Sequence, residues 1–196
     1  MRVTNFRLKA GLQTLYTKPV HVRPAFLTLI MPAITIRDYL SSPKRIMENA
    51  DEQFMHEALA QAEAARAGGE VPVGAIIVLA GEVIGRGRNA VIATSDPTAH
   101  AEIVALREAA AKLGNYRLTG STIYSTIEPC AMCAGALVHA RVARLVFGAK
   151  DPKAGAVETH FGICTAEFLN HQVSVEGGIL ESDCRRMLQS FFLERR

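Results

Sequence analysis

Residues 71–90, VPVGAIIVLAGEVIGRGRNA, read as two strands separated by little more than the pair Ala80-Gly81. So short a connection permits only an antiparallel hairpin, and glycine there supplies the positive φ that such a turn demands. The hairpin constrains everything around it. Before it, Phe54, Met55, Ala58, Leu59 and Ala62 recur at helical spacing, and Gly68-Gly69 stop that helix. After it the pattern alternates. AEIVALREAAAKLG is a helix with Ile103, Leu106, Ala110 and Leu113 expected inward; STIYSTI is a strand; CAMCAGALVHA is a helix; ARLVFGA is a strand. A looser stretch, 150–170, precedes a short strand in HQVSVEG, and a last helix carries Leu180, Cys184, Met187, Leu188 and Phe191 on one side. Strands that alternate with helices pair in parallel, whereas the hairpin pairs antiparallel. The expected fold class is therefore α/β: a three-layer α/β/α sandwich around a mixed five-stranded sheet.

Charge divides the chain. Residues 1–46 hold eight Lys/Arg and one acid, Asp38; residues 47–196 hold 14 Lys/Arg and 18 acids. Three readings fit the basic segment: a transit peptide, since these are Arg-rich and acid-poor, a basic arm for nucleic acid, or a mis-set start. Met47 opens MENADEQF, an ordinary beginning just before a first helix. The domain is expected at 47–196, with 1–46 a basic extension that is disordered or a mis-set start. The best apolar stretch, Ala25 to Ile34, contains Thr28 and Pro32 and falls short of the roughly 20 residues that cross a bilayer. Four cysteines in 196 residues are too few for a disulfide framework. A reducing, cytoplasmic setting and no membrane partner are expected, with an organelle the destination only if 1–46 is a genuine transit peptide.

GRGRNA at 85–90 matches G-x-G-x-x-A, but a dinucleotide fingerprint must leave a strand and open a helix. Here the glycines lie on the second hairpin strand, so that reading fails on context.

The chemistry concentrates in EPCAMC, 128–133. Cys130 and Cys133 are three apart on an expected helix and share a face near its N-terminus, where the dipole favours thiolate. The pair by itself suits a redox couple, half a metal site or two small core residues. DPTAHAEI, 96–103, decides between them. Pro97 keeps Asp96 out of a helix, and Thr98 is a good N-cap. His100 and Glu102 can converge only if His100 sits at the very start of the helix, because positions two apart point about 200° from each other. Two helix N-termini would then meet, giving one imidazole and two thiolates as ligands and leaving the fourth zinc position open, as in catalytic sites. Glu102 is unneeded as a ligand and suits a proton shuttle.

His-x-Glu with Pro-Cys-x-x-Cys is the signature of zinc nucleobase deaminases. Residues from about 49 to 196 resemble bacterial tRNA-specific adenosine deaminases more widely, through EVPVGA (70–75), RNAVI, DPTAHAEI, NYRL (115–118), TIEPCAMCAGA (126–136), FGAKDPKAGA (147–156), NH (170–171) and FFLERR. The resemblance implies a cytidine deaminase-like fold, one Zn2+ per subunit on His100, Cys130 and Cys133, and a homodimer. It implies conversion of the wobble adenosine of an arginine tRNA with anticodon ACG to inosine. Glu102 would move the protons, and the target base would leave its stack to reach the metal. Asn89 matches the family's pocket asparagine, and Asp151 a position that contacts the anticodon loop. RNA contact needs positive charge and stacking surface. The candidates are Lys153, Phe192, Arg195 and Arg196, with Lys150, Arg185 and Arg186 behind them; Phe191 is expected in the core.

The segment AVETHFGICTAEF (156–168) carries little of the family pattern. Its His160 and Cys164 are too few for a second metal site, and a packed loop is the expected arrangement. Other readings of the same zinc core are a guanine, cytosine or free-nucleoside deaminase. An idle partner subunit would lack the glutamate that Glu102 provides. A closed structural zinc module would need His139 or Cys164 as a fourth ligand.

Overall fold

Ala80 (φ 52°) and Gly81 (φ 82°) both take the left-handed backbone that a two-residue hairpin turn requires. They join β1 (Gly74–Leu79) to β2 (Glu82–Arg88). The computed structural model describes residues 43–195 of the chain. Within it lie three more strands, β3 (Thr122–Ile127), β4 (Arg144–Ala149) and β5 (Ser174–Gly177). The helices are α1 (Pro43–Ala67), α2 (Val91–Thr94), α3 (Ala101–Leu113), α4 (Ala131–His139) and α5 (Glu181–Leu193), with a 3-10 turn at Ile163–Thr165. The five strands form one sheet in the order β2-β1-β3-β4-β5. β1 pairs antiparallel with β2 and β3, while β3, β4 and β5 run parallel. The mixed sheet expected from the hairpin and the alternation is the one observed.

Strand alternation sorts side chains between two cores. Ala75, Ile77, Ile123, Leu145 and Phe147 pack with α3 and α4 on one face; Ile76, Val78, Tyr124 and Val146 pack with α1 and α5 on the other. This is the three-layer sandwich. In β2 the pairing steps from Gly85 opposite Ile77 to Val83 opposite Val78, which leaves Ile84 as a bulge.

Gly87 explains the glycines of GRGRNA. A Cβ there would sit 1.9 Å from the carbonyl oxygen of Ala101. Only a bare backbone lets α3 lie directly on β2, and Ala101, Ala105 and Ala109 form the buried face of the helix. This close seat corrects one expectation. Leu106 points inward, but Leu113 is 40 % exposed, because the small residues and not the large ones face the sheet. α2, a single turn, has no periodic signal in the sequence. α1 begins at Pro43, ahead of Met47, and residues 1–42 lie outside the described residues.

At one end of the sheet, Asp51 of α1 is buried and receives two hydrogen bonds from the Arg144 guanidinium (2.9 and 2.7 Å) and one from the Tyr124 hydroxyl (2.7 Å). Arg144 also pairs with Glu176 of β5. Burial opposes ionisation of Asp51, but Arg144 and Tyr124 outweigh it and hold its pKa below the usual value. The clamp ties α1 to three strands at the end where β4 begins.

Candidate active site

The opposite end of the sheet gathers the chemistry. Register places Gly74 beside Arg88, Ala75 beside Ser125 and Ile127 beside Ala149. Asn89, Glu128 and Lys150, each one residue beyond its strand, therefore leave the sheet at the same edge, the carboxyl end of the parallel strands where α/β folds place ligands.

Two helix starts meet there. His100 is the N-cap of α3 with extended backbone (φ −70°, ψ 153°), and its carbonyl accepts the Val104 N–H at 3.0 Å. Cys130 is the N-cap of α4, also extended (φ −72°, ψ 173°), and its carbonyl accepts from Ala134 at 2.8 Å. The cap of α3 is thus His100 and not Thr98. Thr98 is held instead by Asp96, whose carboxylate accepts from its N–H (2.8 Å) and its hydroxyl (2.7 Å). The extended φ/ψ of His100 is what turns it toward the same point as Glu102, two residues on.

His100 Nδ1 lies 3.7 Å from Cys130 Sγ and 3.6 Å from Cys133 Sγ. A tetrahedral ion with Zn–S near 2.3 Å and Zn–N near 2.0 Å sets nitrogen and sulfur about 3.6 Å apart, so the three residues fit zinc without rearrangement. Among the described residues they are the one group of His, Cys, Asp and Glu placed to hold a metal. Neither His139 nor Cys164 joins them, so the described residues supply three ligands. The cysteines are free thiols. Cys130 is held down to about 5, first by the thiol of Cys133, then by the N–H groups of Cys133 and Met132 and by His100, against the effect of burial. Cys133 is pushed up, first by its bond to Cys130 and then by burial. A divalent cation would offset the charges of both thiolates.

Glu102 is 3 % exposed. Burial raises its proton affinity above that of an ordinary glutamate, helped by the nearby Cys130 charge. A carboxyl poised to take and return a proton needs that environment.

A cavity of about 690 Å³ opens above these groups. His100, Glu102 and Cys130 line its floor, and Asn89, Asp151, Lys153 and Phe192 line its walls. Phe192 is 49 % exposed while Phe191 is buried, as the helix pattern implies. Arg195 lies farther out, in an adjoining pocket shared with Lys153 and Phe192. Its guanidinium covers the Phe191 ring at 3.9 Å and donates to the Gly69 carbonyl at 3.1 Å, so it fastens the end of α5 to the end of α1. Arg196 lies outside the described residues. Lys150 pairs with Glu158 at 3.0 Å, Arg186 with Asp183 at 3.2 Å, and Arg185 with Glu181. His160 and Cys164 do not come together: Cys164 is in the core, and His160 is exposed with Nε2 3.0 Å from the Pro152 carbonyl.

Two buried carboxylates escaped the sequence reading. Glu70 accepts from the N–H groups of Ile92 and Ala93 (both 2.8 Å) and from Asn89 Nδ2 (3.4 Å), so it anchors α2 and the Asn89 amide. Glu128 is 1 % exposed and accepts from the backbone N–H of Asp151 (3.2 Å), Val157 (3.2 Å), Glu158 (2.8 Å) and Thr159 (2.8 Å), and from the Thr159 hydroxyl. Burial works against its charge, but the Thr159 hydroxyl and these backbone donors overcome it and hold Glu128 near a pKa of about 2. Both residues sit inside quoted motifs, EVPVGA and EPCAMC. A glutamate among apolar neighbours was the available signal.

Residues 48–149 match the family model described as the cytidine and deoxycytidylate deaminase zinc-binding region. The class defined by fold and site together is a zinc-dependent deaminase. A curated tRNA-specific adenosine deaminase of Haemophilus influenzae is 48 % identical over 153 residues, covering 78 % of this chain and 88 % of that one. A solved structure from biochemical and structural studies of A-to-I editing by tRNA:A34 deaminases superposes with a TM-score of 0.67 at 44 % identity, covering 69 % of this chain and 99 % of that one. A guanine deaminase from Nitrosomonas europaea gives 0.60 at 27 % identity over 71 % of this chain and 83 % of its own. At that level of identity to a curated relative, across most of the relative's length, the chain belongs to the tRNA-specific adenosine deaminase family.

Proposed function

We propose that this enzyme hydrolyses adenosine to inosine at the wobble position of a tRNA anticodon, with arginine tRNA of anticodon ACG as substrate. The observation that carries the reading is the placement of a buried glutamate beside a three-ligand metal set at the floor of a cavity large enough for a nucleoside. Identities near half to tRNA-specific relatives favour this substrate class over free guanine, whose deaminase is more distant.

Zinc bound by His100, Cys130 and Cys133 supplies a Lewis acid that makes water a nucleophile near neutral pH. Glu102 accepts the proton that the attacking water gives up and delivers it to the purine ring nitrogen. It then takes the second proton, from the hydroxyl now on the purine carbon, and gives it to the departing amine as the C–N bond breaks, so that water and adenosine become inosine and ammonia. Glu70 holds the Asn89 amide nitrogen, which leaves the Asn89 carbonyl oxygen to accept from the flipped base or its ribose. Phe192 offers a face on which a base can stack, and Asp151 and Lys153 meet the backbone of the anticodon loop. The enzyme works as a cytoplasmic homodimer; the exposed Phe161 and Phe168, apart from the cavity, support a second protein surface there. No helix among the described residues is long and apolar enough to cross a membrane.

The test is deamination of arginine tRNA with anticodon ACG beside free adenosine, cytosine and guanine, read as inosine and released ammonia. Inosine at the wobble position with the free compounds unchanged is expected. Turnover of a free base with the tRNA untouched would overturn the substrate while retaining the zinc chemistry.

A further inference from the structure

The wall of the cavity formed by residues 150–160 has no helix and no strand. It is nonetheless held by hydrogen bonds, and five of them end on one side chain. Glu128 Oε1 accepts from Val157, Glu158 and Thr159, and Oε2 accepts from Asp151 and the Thr159 hydroxyl. A carboxylate offers about four lone-pair sites, so five donors leave it fully engaged and with no role as an acid or base. The loop is arranged to admit it. A Cβ at position 155 would lie 2.4 Å from Glu128 Oε2, so only glycine leaves the carboxylate its place. The N–H of Ala156 bonds to the Pro129 carbonyl at 2.9 Å, and Cys130 and Gly155 form an isolated antiparallel bridge. From Glu128 the order passes outward. Its Oε2 fixes the Asp151 N–H, and Asp151 Oδ1 accepts the Lys153 N–H at 2.9 Å. Asp151 and Lys153 are among the wall residues that line the space above the metal ligands.

We propose that Glu128 is a positioning residue for RNA: it templates the 151–159 loop so that Asp151 and Lys153 meet the substrate strand around the flipped base. The inference rests on the tRNA reading above and assigns to Glu128 a part in substrate hold that is separate from the metal centre. The bonds from Asp151 and Thr159 end on Oε2, and the three remaining N–H donors end on Oε1. In Glu128→Gln the amide oxygen can keep the three-donor side, and the amide nitrogen then faces the Asp151 N–H and repels it. That substitution therefore frees the end of the loop that bears Asp151 and Lys153.

The experiment is single-turnover deamination of the arginine tRNA with enzyme varied through saturation, with zinc content measured on the same preparations. For Glu128→Gln the half-saturating enzyme concentration should rise about tenfold, because a charge-assisted contact that binds ground state and transition state alike is lost. The maximal rate should fall less than about threefold, since no group at the reacting atoms is removed, and zinc should stay at one per chain. Thr159→Val removes one bond to the carboxylate and should raise half-saturation about threefold. A Glu128→Gln protein with half-saturation within twofold of the parent would overturn the proposal. So would a loss of zinc and maximal rate together with half-saturation unmoved, which would confine Glu128 to supporting the α4 ligands. If Glu128→Gln does not fold, Thr159→Val decides: unchanged half-saturation overturns, a rise supports. If the unsubstituted enzyme leaves the tRNA untouched, the substrate reading itself has failed, before any variant is compared.

Discussion

The two walls of the cavity are held by different physics. On the α3 side, position is set by contact: alanines lie against glycine backbone, and the seat is so close that a single methyl has no room. On the 150–160 side Ala156 and Val157 reach the apolar interior, and one carboxylate gathers the rest of the chain by hydrogen bonds. The glutamates of the two walls follow the same division. Glu102 is buried with few donors and its proton affinity rises; Glu128 is buried among five donors and its affinity falls to about 2. Burial alone therefore does not assign a role to a carboxyl group; the count of donors around it does. Rigid packing places Glu102, proposed to act on single atoms, and a bonded loop carries Asp151 and Lys153, proposed to meet the larger substrate.

The comparison can be broken most directly at Glu102. Glu102→Ala should lower the maximal rate by about 10³-fold, the usual worth of a positioned proton shuttle, with zinc and RNA binding retained. Near-normal turnover would dissolve the distinction between the two glutamates. Next is the packed wall itself. Gly87→Ala places a methyl against the Ala101 carbonyl and should destabilise the fold by about 3 kcal/mol, as overpacking in a close core does. Zinc affinity should fall with it, since His100 and Glu102 ride on the same turn; urea unfolding and metal titration would show whether the two losses travel together.

A third prediction separates the two ends of the sheet. Asp51→Asn breaks the buried clamp with Arg144 and Tyr124 and should cost about 2 kcal/mol while leaving activity at low temperature unchanged. The acid limb of stability should respond as well. Asp51 and Glu128 both have folded pKa values below their unfolded ones, so the folded state binds fewer protons. Their stabilisation is complete above the ordinary carboxylate range; that of Glu128 is lost as pH falls from about 4.5 through about 2, and that of Asp51 as pH falls below its ordinary value. Urea midpoints measured across that window should fall less steeply in Asp51→Asn. The smallest effect is expected at Phe192. Removing its ring should weaken RNA binding by about 1 kcal/mol, the low end for one stacked base, and leave the maximal rate unchanged; fluorescence anisotropy with an anticodon stem-loop would read it.

Much of this was legible in the sequence. The hairpin, the alternation after it and the two cysteines at a helix start define the sheet and the metal set, because periodicity and ligand spacing are local properties. His100 and Glu102 could be paired across two residues because convergence forces the helix to begin between them. What stayed hidden depends on partners far away in the chain. Nothing near Glu128 announces that Thr159 will bond to it 31 residues later. Leu113 was expected inward because size suggested it, whereas the surface opposite α3 is glycine and selects alanine. Arg195 was expected as an RNA contact, and its bond within the protein follows only from the Gly69 carbonyl lying within reach.

The bulge at Ile84 has a consequence beyond the hairpin. β2 is an edge of the sheet, and an unpaired edge is a template on which another chain can add a strand and begin to aggregate. Here the edge is interrupted by the extra residue and carries the exposed charges of Glu82, Arg86 and Arg88, with Arg86 tied to Glu57 at 3.0 Å. At the other edge β5 is four residues long. Neither margin offers a long flat register, so copies of this protein that associate in an ordered way are directed to their helices and loops, and the sheet stays closed to fibril-like growth.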